Sequence, residues 1–204
     1  MNDATDGLRF FDAGARIGLP PNARPVGPVP PGGSAEDLLA EMDRVGIERA
    51  LVWHVGQRDG EAVTGNRLLA EAIAPHERLV GCWALLPPQT RELGDLDSWF
   101  AAAGEARVRA LRAFPAEHRY LLRGEAVGPV LQRAQAARMP LVLSASDAAW
   151  PGIYDLLAEM PELTVILADL HCWGADRFFR PLLERYPNVH IELGGYIVDG
   201  GIEV

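Results

Sequence analysis

The sequence predicts an α/β chain built on a parallel sheet of the (β/α) barrel type, and three observations carry that expectation. Short β-rich runs alternate with helical patterns along the whole chain. The runs begin roughly 30 residues apart, the repeat of a right-handed βαβ unit. No Gly-x-Gly-x-x-Gly follows the first run, as a dinucleotide-binding open sheet would prefer, so the barrel is favoured over the doubly wound alternative.

Seven strands are expected, at 9–17, 50–55, 79–86, 108–114, Leu141–Ser144, 164–170 and 189–193. After the first comes a proline-rich stretch, 19–33, with Pro20, Pro21, Pro25, Pro28, Pro30 and Pro31. Proline fixes φ and donates no N–H, so this segment reads as an irregular loop. It follows a strand, which puts it on the active-site face of a barrel as a lid or pocket wall, or as a stiff excursion without function. Ser34 and Asp37 form a capping box ahead of Leu38, Leu39, Met42 and Val45, with Gly46 as the stop. Thr64 or Asn66 is expected to cap the helix carrying Leu68, Leu69, Ala72 and Ile73, which Pro75 ends. Further helices are expected at 125–138, 148–160 and 175–186. Only seven units fit before Val204, so residues 1–204 read as a single barrel domain, C-terminally truncated or open, without its eighth strand. Apolar edge strands carrying Phe10, Phe11 and Ile17 on one side and Val189, Ile191 and Leu193 on the other would then favour a homodimer.

Composition excludes several functions. A 49% apolar, 23% charged chain can bury a core, and a net charge of −9 repels a phosphate backbone, which argues against a nucleic-acid partner. All 19 basic residues are Arg; without Lys there is no Schiff base and no P-loop lysine. Cys82 and Cys172 sit in apolar runs and read as buried reduced thiols, which, with no apolar signal core and no membrane-length run, points to the cytoplasm and away from a membrane.

The runs Phe11-Asp12-Ala13-Gly14-Ala15-Arg16-Ile17-Gly18, Leu39-Ala40-Glu41-Met42-Asp43-Arg44-Val45-Gly46-Ile47-Glu48-Arg49-Ala50, Leu79-Val80-Gly81, Val108-Arg109-Ala110-Leu111-Arg112 and Tyr186-Pro187-Asn188-Val189-His190-Ile191-Glu192 occur in an order and spacing that resembles the amidohydrolase-related superfamily of the amidohydrolase 2 type. The resemblance spans nearly the whole chain. It implies a TIM-barrel fold and metal-dependent hydrolysis or decarboxylation. The departures fall on the metal ligands. Where the family carries Asp-x-His-x-His-x-Gly, this chain has Gly14 and Arg16; the fifth-strand position reads Leu143-Ser144-Ala145-Ser146-Asp147, and Asp169 stands where a sixth-strand His is expected, with His171 two residues on. The resemblance therefore implies a degenerate metal site, with no cofactor.

The strand ends collect Asp12, Arg16, His54, Arg112, Ser144 or Ser146, Asp169, His171 and Glu192, and strand parity puts Asp12, Gly14 and Arg16 on one face. Asp169, His171 and Asp12 are the candidates for proton transfer, with Arg16, Arg112, His54 and Ser144 as the substrate-binding set. Each arginine reads as an internal ion pair replacing lost metal charge, as a substrate-carboxylate anchor, or as a solvated group. His54 has a packing alternative, and His118 with Tyr120 reads as a solvated loop. No Gly-x-Ser-x-Gly surrounds Ser144 or Ser146. The expected function is metal-independent hydrolysis or decarboxylation of a small carboxylate-bearing substrate; the alternative is a pseudoenzyme acting as a ligand-binding or assembly module.

Overall fold

In the computed structural model, which describes residues 9–19, 33–170 and 176–192, the seven strands fall on the β-rich runs, the second starting early at Ile47, and the first six are each followed by a helix or helical turn. The order is β1 (Phe10–Ile17), α1 (Ala35–Val45), β2 (Ile47–His54), α2 (Gly56–Asp59), α3 (Ala62–Ile73), β3 (Leu79–Ala84), α4 (Leu96–Glu105), β4 (Val108–Ala113), α5 (Gly124–Ala136), β5 (Leu141–Ser144), α6 (Ala145–Ala148), α7 (Trp150–Glu159), β6 (Val165–Ala168), α8 (Asp176–Arg185) and β7 (Val189–Ile191). All six neighbouring pairs are parallel and the sheet runs β1 to β7 in chain order. This is a curled half-barrel of the TIM type. His171, Cys172, Leu193 and residues 20–32 lie outside the described residues.

Two observations show how far the sheet curls. A Cβ built on Gly14 of β1 would lie 3.3 Å from Glu192 Cδ, so the residue after β7 touches the first strand. Arg112 of β4 reaches across β3 to lie 4.6 Å over the Trp53 ring of β2, which only a concave face permits. The small residues Cys82 and Ala84 of β3 leave room beneath that contact. Trp53 also meets Phe114, ring centroids 5.6 Å apart. On the convex side the strands bury against the helices, with Trp83 of β3 against Trp99 of α4 at 5.3 Å.

The helix signals hold in part. Ser34 and Asp37 form the expected capping box, and Gly46 closes α1 at φ +79° with its N–H donating to Met42 O. The cap of α3 is neither Thr64 nor Asn66 but Glu61, whose carboxylate accepts from Val63 N and Thr64 N. Asn66 is drawn into the core instead. Helix α4, capped by Asp95, was not among the expected helices. No helix of the described residues is long and apolar enough to cross a membrane.

The expected parity of β1 does not hold. Asp12 pairs with Ala50 but Ala15 pairs with Val52, so β1 carries one extra residue there. Such a bulge reverses which face the following residues occupy. Gly14 points at Glu192 and Arg16 shares the row of Trp53 on the inner face, whereas Asp12 falls on the row of Ala50. The Asp12 carboxylate accepts from Gly14 N at 2.8 Å, holding the bulge.

Candidate functional site

The C-terminal ends of the strands build a polar mouth around one buried cation. Arg112 is 4% exposed; one end amino group donates to Asp169 Oδ2 at 2.8 Å, and its guanidinium lies against both the Trp53 and the Phe114 rings, 4.6 and 5.4 Å from their centroids. Its Nε is buried and has no hydrogen-bond partner among the described residues. A guanidinium is tolerated there because an aromatic face and one carboxylate replace its water shell. Asp169 itself is half exposed at its side chain and follows β6 at φ +55°. That left-handed backbone is costly for a residue with a Cβ, and such strain gathers at functional mouths.

Ser144 ends β5, fully buried on the row of Ala168, with its hydroxyl 2.7 Å from that of Ser146. Arg16 is exposed on the inner face in register with Trp53 and makes no hydrogen bond or ion pair to another described residue, so the internal ion pair expected of it is made by Arg112 instead. The structure thus brings Arg112, Asp169, Ser144 and Arg16 to one mouth.

Asp12 and His54 are placed apart from that group. His54 pairs with Ile17 on the opposite row from Trp53. Its Nδ1 accepts from Gly56 N at 3.0 Å, its ring lies against Gly18, and burial holds its pKa below the ordinary imidazole value. His118 and Tyr120 are not solvated: the His118 ring packs edge-on to Phe114 at 5.6 Å with both nitrogens buried, and the Tyr120 hydroxyl, its pKa raised by burial, donates to Leu85 O.

Two residues hold the mouth together: Gln57, which the sequence did not single out, and Asn66, which it offered only as a helix cap. Strands β2 and β3 pair only from Ala50 to Val52 and then separate. The fully buried side-chain amide of Gln57 fills the gap, accepting from His54 N at 2.9 Å and donating to Cys82 O at 2.9 Å. It also donates to Asn66 Oδ1 at 2.7 Å, and Asn66 in turn accepts from Ala84 N and donates to Ala84 O. Each amide acts as a stand-in peptide. Asp147, in α6, is the third missed residue: it is half buried and its carboxyl pKa is raised, first by desolvation.

The described residues do not fit a divalent metal at this mouth. Gly14 supplies no donor, and the Glu192 side chain occupies the space a ligand side chain would need there. Arg16 is cationic, the Asp169 carboxylate is engaged by Arg112, and the Ser144 hydroxyl by Ser146. Among the described residues no group of three or more His, Cys, Asp or Glu is placed to hold a metal.

Comparison with known proteins agrees with this architecture. The sequence model described as Amidohydrolase matches residues 11–201. Among solved structures, a TIM-barrel protein from Bordetella bronchiseptica superposes with a TM-score of 0.64 at 14% identity, over 90% of this chain and 74% of that one. Amidohydrolase 2 from Bifidobacterium longum subsp. infantis gives 0.58 at 18% identity, over 90% and 72%. A probable 2-pyrone-4,6-dicarboxylic acid hydrolase from Acinetobacter baumannii, solved with citric acid bound, gives 0.54 at 14% identity, over 79% and 58%. At these identities the likeness is one of fold. No curated protein matches the sequence.

Proposed function

This chain belongs to the amidohydrolase family, and from that premise we propose that it is a hydrolase or decarboxylase of a small carboxylate-bearing molecule, working at the strand-end mouth without a resident divalent metal. One observation carries the reading: Arg112 is fixed in the barrel interior against two aromatic rings, and Asp169, its one carboxylate partner among the described residues, is half exposed. A buried guanidinium next to an exchangeable carboxylate is a site for a second carboxylate, because an entering anion can share or replace that partner. Arg112 would hold the substrate carboxylate, Arg16 would meet its other end, and Asp169, released from the pair, would accept or return a proton. His171 joins Asp169 in the proposed proton-transfer set and Ser144 joins the proposed binding set, while Asp12 and His54, set apart from the mouth, are left out of both. The setting we propose is the cytoplasm, where the Cys82 thiol stays reduced.

Citrate and small dicarboxylates, titrated calorimetrically, test the binding step, and release of CO2 or of acid from lactone and amide derivatives tests turnover. Arg112→Met should lower affinity by at least tenfold, about 1.4 kcal/mol, with the circular dichroism spectrum kept. Unchanged affinity would overturn the assignment. Elemental analysis should find well under one equivalent of zinc, manganese or iron, and a stoichiometric metal whose removal abolishes turnover would overturn metal independence. A second reading, a binding module without turnover, is favoured by the fact that Arg112 already has an internal carboxylate partner; ligand binding without turnover of any derivative would establish it.

A further inference from the structure

A second cavity, of about 340 Å³, opens between the loop that leaves β4 and the turns that leave β5. It lies at the same end of the sheet as the mouth, but none of Arg112, Asp169, Ser144 or Arg16 lines it. Pro115, Leu122, Pro151 and Gly152 form its apolar wall, and Asp147 with the Arg123–Asp155 pair supplies its charged groups. A backbone bond from Ala116 N to Asp147 O, 3.2 Å, ties its two sides together.

The lining offers an acceptor and no free donor. The Asp147 side chain is half buried, yet its carboxylate accepts no hydrogen bond and makes no ion pair among the described residues. Pro115 and Pro151 have no N–H to give, and the Leu122 side chain has no polar atom. The Tyr120 hydroxyl, also on this wall, already donates to Leu85 O at 3.4 Å, and Arg123 is closed on Asp155 at 2.9 Å. Arg58 and Arg112 attract the Asp147 charge from outside the cavity, while Asp169 and Glu117 repel it. A carboxylate drawn partly out of water without a donor is costly, and a cation that brings its own N–H groups removes that cost.

Gly152 is the independent observation. It stands in the first turn of α7 with no left-handed φ, so its backbone does not call for glycine. Alanine is the better helix former there. A Cβ at this position would meet only Leu122 Cβ, at an ordinary 3.9 Å. The missing side chain therefore relieves no clash; what it does is keep the floor of the cavity open.

We propose that this cavity binds a small organic cation, a primary ammonium on a short branched apolar body, with the ammonium on Asp147 and the body over Gly152 between Leu122 and Pro151. The site is separate from the Arg112 mouth and does not rest on the reading of that mouth as a carboxylate site. An ammonium carries three donors and a positive charge, the two things the lining lacks. The body takes the space that Gly152 leaves, against walls that have nothing to offer a polar group.

Isoamylamine is the probe, titrated into the full chain at about pH 7, where an alkyl ammonium is fully charged, and followed by nitrogen-15 NMR. Saturable shifts are expected at backbone amides of 116–123 and 147–153. Isoamyl alcohol, with the same body and no charge, should bind at least tenfold more weakly, and Asp147→Asn should weaken the amine by at least tenfold. Gly152→Leu, which fills the floor, should abolish the saturable shifts with its Tm no lower than that of the wild type. Absence of saturable shifts in the wild type, or shifts confined to other parts of the chain, overturns the proposal. Equal binding of the alcohol overturns the ammonium, equal binding by Asp147→Asn overturns its seat, and undiminished binding by a folded Gly152→Leu overturns the location. Should Gly152→Leu not fold, the alcohol and Asp147→Asn still decide.

Discussion

Replacing Gln57 tests the claim that its amide serves as an inserted peptide between β2 and β3. Gln57→Met keeps most of the side-chain volume and removes three hydrogen bonds: one accepted from His54 N and two donated, to Cys82 O and Asn66 Oδ1. Each is worth about 1 kcal/mol net, and stranding a buried N–H or carbonyl adds about 1–3 kcal/mol. Asn66 Oδ1 keeps its bond from Ala84 N, so it is not stranded. With His54 N–H and the Cys82 carbonyl both stranded, the expected loss is therefore about 5–9 kcal/mol, most of the 5–15 kcal/mol that holds a typical domain folded. For a chain of 204 residues this corresponds to a fall in Tm of about 10 °C or more. Urea denaturation followed by tryptophan fluorescence reads it directly, because Trp53 lies in the strand whose end is released. A loss below about 1 kcal/mol would refute the reasoning, since it would mean that the separated strand ends satisfy themselves without the amide.

Asp147→Asn should stabilise the fold at neutral pH. The folded chain holds the Asp147 carboxyl above its ordinary value, so stability falls as pH rises through that interval and stays level above it; the gain from the variant should vanish in acid, and a gain that persists there would be contrary. Gly18→Ala should cost about 2–4 kcal/mol by thermal denaturation, because φ is +87° and a Cβ would lie 2.7 Å from Val55 Cγ2 and 2.8 Å from His54 Nε2. Phe10 and Phe11 are 50% and 53% exposed on β1; sedimentation should show a dimer that Phe10→Ser with Phe11→Ser converts to monomer, and a wild-type monomer at all concentrations would refute that seam.

Strand positions were legible because buried parallel strands are continuous apolar runs, as in Leu141–Ser144, and because strand starts recur at the βαβ interval. The α1 boundaries were legible for a local reason, since Ser34, Asp37 and Gly46 act within one turn of where they stand. The failures share a cause of the opposite kind. A period of two assigns faces only while the register is unbroken, and the extra residue between Asp12 and Ala15 has no signature a single strand can show. Gln57 and Asn66 resemble any surface amide until β2 and β3 separate over them. Asp147 carries a raised pKa only because residues far away in sequence cover it. Helix α4 is different: Leu96, Trp99, Phe100 and Ala103 recur at helical spacing behind Asp95, so its signal was present in the sequence.

The backbone bond from Gly18 N to Gly33 O, 2.9 Å, has an evolutionary consequence. It fastens the two ends of the proline-rich segment to each other at the end of β1. The barrel therefore meets that segment at one closed junction, and its length becomes a variable the fold hardly senses. Doubling the number of residues in a closed loop costs only about 0.6 kcal/mol. Insertions and deletions between positions 20 and 32 can then be accepted or discarded in single steps, leaving Arg112, Trp53 and Asp169 where they are. A lineage carrying this junction can lengthen, shorten or replace that segment without refolding the vessel behind it.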